Sequence, residues 1–354
     1  MIGKRLAILL IITGLLIMFR DALVIHTKTL LLVAEELLQA PVKPLAVLTT
    51  PPEHRELPLD SPHGRINADL FLPTQRFGSP EANSRPAVII AMGIRTTDQT
   101  RPEVLGFART LGRLGFVVLW PRLAALDAGT PALEEPATLL AGFRYLEQVE
   151  VVDKERISLV GFSVGSSIAL VAAADPLIAE RLHTLVFFGG YYDILDYLVS
   201  IASRSILVDG EARPWDPAQE TVELTRDILE THGLHGLRRV MDATTREEAS
   251  ALLRAVPEEE LLAINRYNPS HAVDGLKSRI FILHDRKDNY IPYVESLALN
   301  AALNETAPKT FLLTDLLEHV MPGGGLSWDA LGDGINLYRF LYQAMYDLSA
   351  PSAA

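Results

Sequence analysis

Residues 156–165 read Arg156-Ile157-Ser158-Leu159-Val160-Gly161-Phe162-Ser163-Val164-Gly165, and residues 166–174 continue as Ser-Ser-Ile-Ala-Leu-Val-Ala-Ala-Ala. The first part is an apolar run short enough for a buried strand; the second is a helix-forming run of small residues. Between them Gly161-x-Ser163-x-Gly165 predicts a sharp strand-to-helix turn. Ser163 would stand exposed at its tip, with a glycine two positions to each side so that strand and helix can approach closely. The five-letter pattern alone recurs by chance, so its flanks decide the reading. It is not a phosphate loop, because the Lys-Ser/Thr ending is missing, and no G-x-G-x-x-G dinucleotide pattern accompanies it.

Upstream of this turn, strands and helices alternate. Pro86 to Met92 is continuously apolar and ends in Gly93-Ile94-Arg95-Thr96-Thr97-Asp98. Helical spacing follows over Pro102 to Leu114, an apolar strand over Phe116 to Trp120, and an amphipathic helix over Glu134 to Gln148. Downstream, Leu185 to Phe188, Arg279 to His284 and Lys309 to Thr314 read as strands, with helices over Tyr293 to Leu303 and about Ala330 to Leu348. Strands buried on both faces and separated by helices predict an α/β fold, a mostly parallel sheet covered by helices. Residues 191–274 interrupt the alternation with helical patterns and no comparable strand, too long for an ordinary connection, and are expected to form an inserted helical cap over the carboxyl ends of the strands. The core is then 60–190 plus 275–350. Residues 41–59, with Pro41, Pro44, Pro51, Pro52 and Pro58, read as a linker.

The 354-residue chain carries 44 acidic against 32 basic residues, a net charge of -12, and no long basic cluster, which opposes a nucleic-acid partner. It has no cysteine, which excludes disulfides, thiol catalysis and thiolate metal sites. Leu6 to Phe19 is an apolar run preceded by Lys4-Arg5 and closed by Arg20-Asp21. It is shorter than the roughly 20 residues of a full span, but snorkelling charges extend the reach of such a segment. The sequence therefore predicts an N-terminal membrane anchor, with residues 1–40 forming the anchor and a juxtamembrane helix. The basic residues before the run orient the catalytic body to the extracytoplasmic side. Secretion after cleavage and attachment on the cytoplasmic side are the alternatives.

A serine at a strained turn needs a base, a group to orient the base, and donors for an oxyanion. Asp288 follows the strand Arg279 to His284 within His284-Asp285-Arg286-Lys287-Asp288-Asn289-Tyr290-Ile291-Pro292, with Asp285 as its alternative. His319 follows the strand Lys309 to Thr314. The backbone N–H of Val164 and that of Ile94 are the candidate oxyanion donors, with Gly93 shaping the second turn. The remaining histidines form no H-E-x-x-H or comparable ligand set, so neither a metal nor a cofactor is implied.

Over about residues 60–350 the chain resembles the α/β-hydrolase superfamily, in the manner of its esterase, acyl-peptidase and dienelactone-hydrolase-related members with an inserted cap. The resemblance rests on Gly-Phe-Ser-Val-Gly around Ser163, on the Asp288 segment followed by Ile291-Pro292, and on His319, in the family's chain order. Met92 stands where His commonly precedes the oxyanion glycine, and there is no H-G-G-G run. The resemblance implies a serine hydrolase that cleaves a carboxylic ester of a small, lipid-like acyl substrate. A peptidase or acyltransferase of the same fold, or a membrane-attached binding protein without turnover, are its alternatives.

Overall fold

Among the described residues, strands from both halves of the chain meet in one eight-stranded sheet, ordered β1-β2-β4-β3-β5-β6-β9-β10. The computed structural model describes residues 20–37, 43–62, 64–74, 84–93, 101–123, 135–303, 308–318, 321–322 and 330–349. The central strands are β3 (Arg85–Ala91), β4 (Val117–Pro121), β5 (Val152–Phe162), β6 (Thr184–Phe188) and β9 (Arg279–Asp285), with β10 (Lys309–Thr314) at one edge. They run parallel to one another. In β3, β4 and β9 the side chains are almost wholly buried because helices cover both faces, which is why these strands read as continuous apolar runs. At the other edge β1 (Glu53–Ser61) and β2 (Gly64–Leu72) form an antiparallel hairpin, and β2 joins β4 antiparallel. This is the α/β-hydrolase arrangement, with an inserted helical region between β6 and β9.

Strand β1 corrects the linker boundary. Residues 53–59, counted with the Pro-rich linker, belong to the sheet. The strand is mostly exposed and pairs on one side only, so its polar pattern and Pro58 are tolerated at an edge while giving no apolar signal.

The N-terminal expectation is corrected more deeply. Among the described residues no helix is long and apolar enough to cross a membrane. The run Leu6 to Phe19 lies outside the described residues. Helix α1 (Arg20–Leu32), read as juxtamembrane, instead docks on the C-terminal helix. The His26 ring stacks on Tyr342 at 4.2 Å between centroids and its Nδ1 is 2.7 Å from the Tyr338 hydroxyl. Ile25 and Lys28 are buried there, and the Lys28 ammonium lies over the Phe116 ring. Burial drives the Lys28 pKa down to about 8. With no described helix able to span a membrane and α1 packed on the C-terminal helix, the membrane anchor, the membrane partner and the exported orientation built on them lose their support. A turn of π-helix, Val33–Leu37, and the short helix α2 (Pro44–Leu48) continue the segment. The Glu35 carboxylate accepts the Leu45 N–H at 2.5 Å, satisfying a donor at the start of α2.

Helices α3 (Arg101–Arg113) and α13 (Ala330–Ser349) cover one face of the sheet. Helices α4 (Glu135–Leu146), α5 (Val164–Ala173) and α12 (Val294–Ala302) pack on the other. The insertion contains α6 (Ile194–Ser203), α7 (Gln219–Thr231), α8 (His235–Val240), α9 (Arg246–Arg254), α10 (Glu258–Asn265) and the short α11 (Pro269–Ala272). It also contains a hairpin the helical reading did not foresee, β7 (Ser205–Val208) and β8 (Glu211–Pro214). Asp209 and Gly210 both take positive φ at its turn, as a tight hairpin requires.

One carboxyl group ties the entry of the insertion to the core, and an asparagine at the exit is bonded to that entry. Glu295 of α12 is buried and its Oε2 accepts the N–H groups of Tyr192 and Asp193 at 2.8 and 2.9 Å. Asn268, where the chain returns, accepts the Ile194 N–H at 3.1 Å and donates to the Asp193 carboxylate. Desolvation, reinforced by the charges of Asp196 and Asp193 and opposed by the two N–H donors, raises the Glu295 pKa from 4.5 to about 8. Between these values the folded chain holds a proton that the unfolded chain releases, so this contribution is full below the lower value and is lost as pH rises through the upper one. Glu295→Gln keeps an acceptor for Tyr192 and Asp193 but cannot ionise. Melting temperatures recorded from about pH 5 to about pH 8 should therefore fall for the wild type relative to the variant.

Candidate active site

Strand β5 ends at Phe162 and α5 starts at Val164, so Ser163 makes the whole reversal of direction, with φ 54 and ψ -136. This is a strained conformation for a residue with a side chain. Close packing enforces it. A Cβ at Gly161 would lie 2.4 Å from the Ser166 Cα, and one at Gly165 would lie 2.3 Å from the carbonyl oxygens of Ala91 and Met92. The neighbouring strand then fastens the turn. Ser163 N–H donates to the Phe188 carbonyl at 2.8 Å, and the Ser166 hydroxyl donates to the same carbonyl while accepting the Phe188 N–H.

Gly93, at the end of β3, faces the serine directly. A Cβ there would meet the Ser163 Cβ at 2.8 Å and its Oγ at 3.2 Å. Gly93 and the start of α5 thus meet at the serine hydroxyl. Ile94 lies outside the described residues. Val164 occupies the first position of α5, where helix N–H groups have no intrahelical acceptor.

The two acids after β9 are distinguished by their surroundings. Asp285 is fully buried, and its carboxylate accepts the Lys287 N–H at 2.7 Å and the Leu317 N–H at 2.6 Å. Burial raises its pKa against the lowering effect of these bonds. It therefore anchors β11 (Leu317–Glu318), which pairs with β12 (Met321–Pro322). His319 follows β11 immediately and lies outside the described residues. Asp288 is also buried; its Oδ1 accepts the N–H groups of Tyr290 and Ile291 at 2.7 and 3.0 Å, and its Oδ2 is 3.3 Å from His284 Nε2. His284 is itself fully buried, bridging the Ser296 hydroxyl and the Ile291 carbonyl at 2.7 and 2.9 Å.

Sequence reasoning did not assign the residues that hold the acid loop from the insertion. Trp215 Nε1 donates to the Asp288 carbonyl at 3.0 Å, Ala218 N–H to the Asn289 carbonyl at 2.7 Å, and the Tyr197 hydroxyl to the Tyr290 carbonyl at 2.8 Å. No local pattern signals contacts between residues so distant in the chain. Tyr197 is buried, and desolvation together with the Asp288 charge pushes its pKa well up, so the hydroxyl remains a donor.

Ser163 opens into a cavity of about 1120 Å³. Gly93, Tyr191, Ile228, Ile264 and Tyr290 are among its walls, as are residues of α3, α13 and the N-terminal segment. Among the described residues no group of three or more His, Asp or Glu side chains is placed to hold a metal ion.

No protein-family model matches the sequence, and no curated protein matches it. Solved structures are similar to it. One is dipeptidyl peptidase 4 of Porphyromonas gingivalis, at 12% identity and a TM-score of 0.53, with 84% of this chain and 36% of that chain covered. A puromycin-hydrolyzing peptidase of Mycobacterium tuberculosis gives 16% identity and 0.52, with 83% and 38% covered. A 2,6-dihydroxy-pseudo-oxynicotine hydrolase gives 16% and 0.50, with 85% and 70% covered. The chain spans little more than a third of the length of the first two. At these identities the likeness establishes the α/β-hydrolase fold.

The elbow packing is directly testable. Gly165→Ala drives a methyl group into two backbone carbonyls and should cost about 3 kcal/mol or more of unfolding free energy. Gly106→Ala in α3, where nothing lies within 4 Å of the new carbon, should be neutral or stabilising by up to about 1 kcal/mol. Denaturant unfolding of the two variants would separate these outcomes.

Proposed function

We propose that the protein is a serine hydrolase that cleaves a carboxylic ester through an acyl-enzyme. The observation that carries this reading is the backbone of Ser163, held at φ 54 by glycine contacts that lock the turn and open to a large cavity. Strain of this kind, over-determined by its surroundings, is a mark of functional positions.

In the proposed reaction Ser163 Oγ attacks the carbonyl carbon, and His319 takes the hydroxyl proton and passes it to the departing alcohol as the ester C–O bond breaks. Water then attacks the acyl carbon with the same histidine as base, releasing the acid and restoring the serine. Asp288 orients His319 and stabilises its charged form. Asp285 uses both oxygens, Oδ1 on Lys287 and Oδ2 on Leu317, whereas the two N–H groups at Asp288 share Oδ1; this supports Asp288 as the orienting acid, with Asp285 fixing the strand that precedes His319. The N–H groups of Val164 and Ile94 are the proposed oxyanion donors, and the Gly93 contact with Ser163 supports that placement. The apolar walls favour an ester over a charged peptide substrate.

Ser163→Ala should abolish labelling by a fluorophosphonate probe and lower kcat/KM on acyl esters by about a thousandfold or more, with the thermal unfolding profile preserved. Asp288→Asn should cost a comparable factor, whereas Asp285→Asn should lower stability more than turnover. Undiminished labelling of Ser163→Ala would refute the assignment.

A further inference from the structure

The residues lining the cavity include, besides those of the inserted helices, side chains of β5, β6, α3 and α13, so part of it lies as an arm across the face of the sheet. Its floor shows in the side-chain exposure of the central strands. Val88, Ile90 and Phe281 are fully buried on this face. Val186 is not, although it stands mid-strand in β6 between β5 and β9, and Phe162 beside it is also partly open. Protein interiors are close-packed, so accessible side chains in the middle of a covered sheet mark a real void. Val160 pairs with Val186 and Phe162 with Phe188, giving a floor that begins beside Ser163 and runs about 10 Å down the strands at roughly 3.3 Å per residue.

The roof is a single stripe of α13. Leu337, Phe340, Leu341, Ala344, Met345 and Leu348 recur at helical spacing and all line the cavity. From the first to the last they cover about 16 Å of helix at 1.5 Å per residue. Phe107 and Leu111 of α3 form the opposite wall, and Leu32 and Leu37 of the N-terminal segment close the arm. Glu35, Glu36, Lys43 and Glu103 also line the cavity, and the first two are engaged by protein donors. Glu35 is bonded to the N–H groups of Leu45 and Ala46, and Glu36 to the Thr110 hydroxyl, with burial raising the Glu36 pKa.

We infer that this arm binds the acyl chain of the substrate, and that the substrate class is an ester of an unbranched fatty acid. The inference rests on the serine-hydrolase reading. The acyl group remains bonded to Ser163 after the alcohol has left, so it suits the arm walled by sheet, α3 and α13. The alcohol must depart, and it suits the arm beneath the insertion. The N-terminal helix and its π turn then act as the stop that determines how long an acyl chain is accepted.

The test uses the full chain with p-nitrophenyl acetate, octanoate and palmitate. Ala344→Phe fills the arm from its roof and Val186→Phe from its floor. Each should lower kcat/KM on palmitate by about tenfold or more while acetate hydrolysis stays within about twofold, which also reports that the variant has folded. Equal losses on all three esters, or an unchanged chain-length profile in both variants, would overturn the inference. If neither variant retains acetate hydrolysis, the unmodified chain decides: a long-alkyl phosphonate should label Ser163 faster than its ethyl counterpart, and equal rates overturn the acyl arm. If the unmodified chain cleaves no ester and takes no phosphonate, the serine-hydrolase reading itself falls.

Discussion

Ser163 is held at a strained positive φ, and such a conformation persists only where the surroundings leave no alternative. A Cβ added at Gly161 or Gly165 would come within 3 Å of backbone atoms. The Ser166 hydroxyl fastens the start of α5 to β6 through two bonds at Phe188. Three adjacent strands are thereby brought to one point: β5 supplies the serine, β3 brings Gly93 against it, and β6 clamps it. Parallel strands deliver their following loops to the same edge of the sheet, so the loop after β9 leaves from the same edge as Ser163.

The insertion takes part in the site. Its hydrogen bonds from Trp215, Ala218 and Tyr197 end on three consecutive carbonyls of the acid loop, 288–290. Glu295 and Asn268 hold the entry and exit of the insertion together. A displacement of the inserted helices would therefore be transmitted to the loop that carries Asp288, which links the wall of the cavity to the acid beside it. The N-terminal segment has a similar double role: it packs on α13 through His26 and reaches the cavity through Leu32 and Leu37.

Much of the architecture was legible in the sequence because buried parallel strands and amphipathic helices each carry a period. The run into Ser163, the strands after it and the inserted helical region were all visible on that basis. Strand β1 was not, because an exposed edge strand lacks an apolar pattern, and Pro58 reads as a breaker unless the edge is known. The Asp209-Gly210 turn carries a recognised hairpin signal, but each flanking strand has only four residues, and the apolar Ile206-Leu207-Val208 faces a polar partner strand, so no alternating pattern announces them. Hydropathy also misassigned the N-terminal region, since an apolar helix face satisfies lipid and protein equally and only the partner distinguishes them.

By itself the sequence determined the chemistry on offer: a serine between glycines at the end of a buried strand, with two acids and a histidine on later loops. Those are properties of residue type and spacing, which local patterns record. Only the tertiary structure decided how the two acids differ, because Asp285 is bonded to Leu317, 32 positions away, while Asp288 lies against His284 under a loop held by the insertion. It likewise decided that α1 belongs to the body and that the cavity extends over the sheet. Burial, hydrogen-bond partners and voids arise when distant segments pack together, and nothing in the neighbourhood of a single residue encodes them.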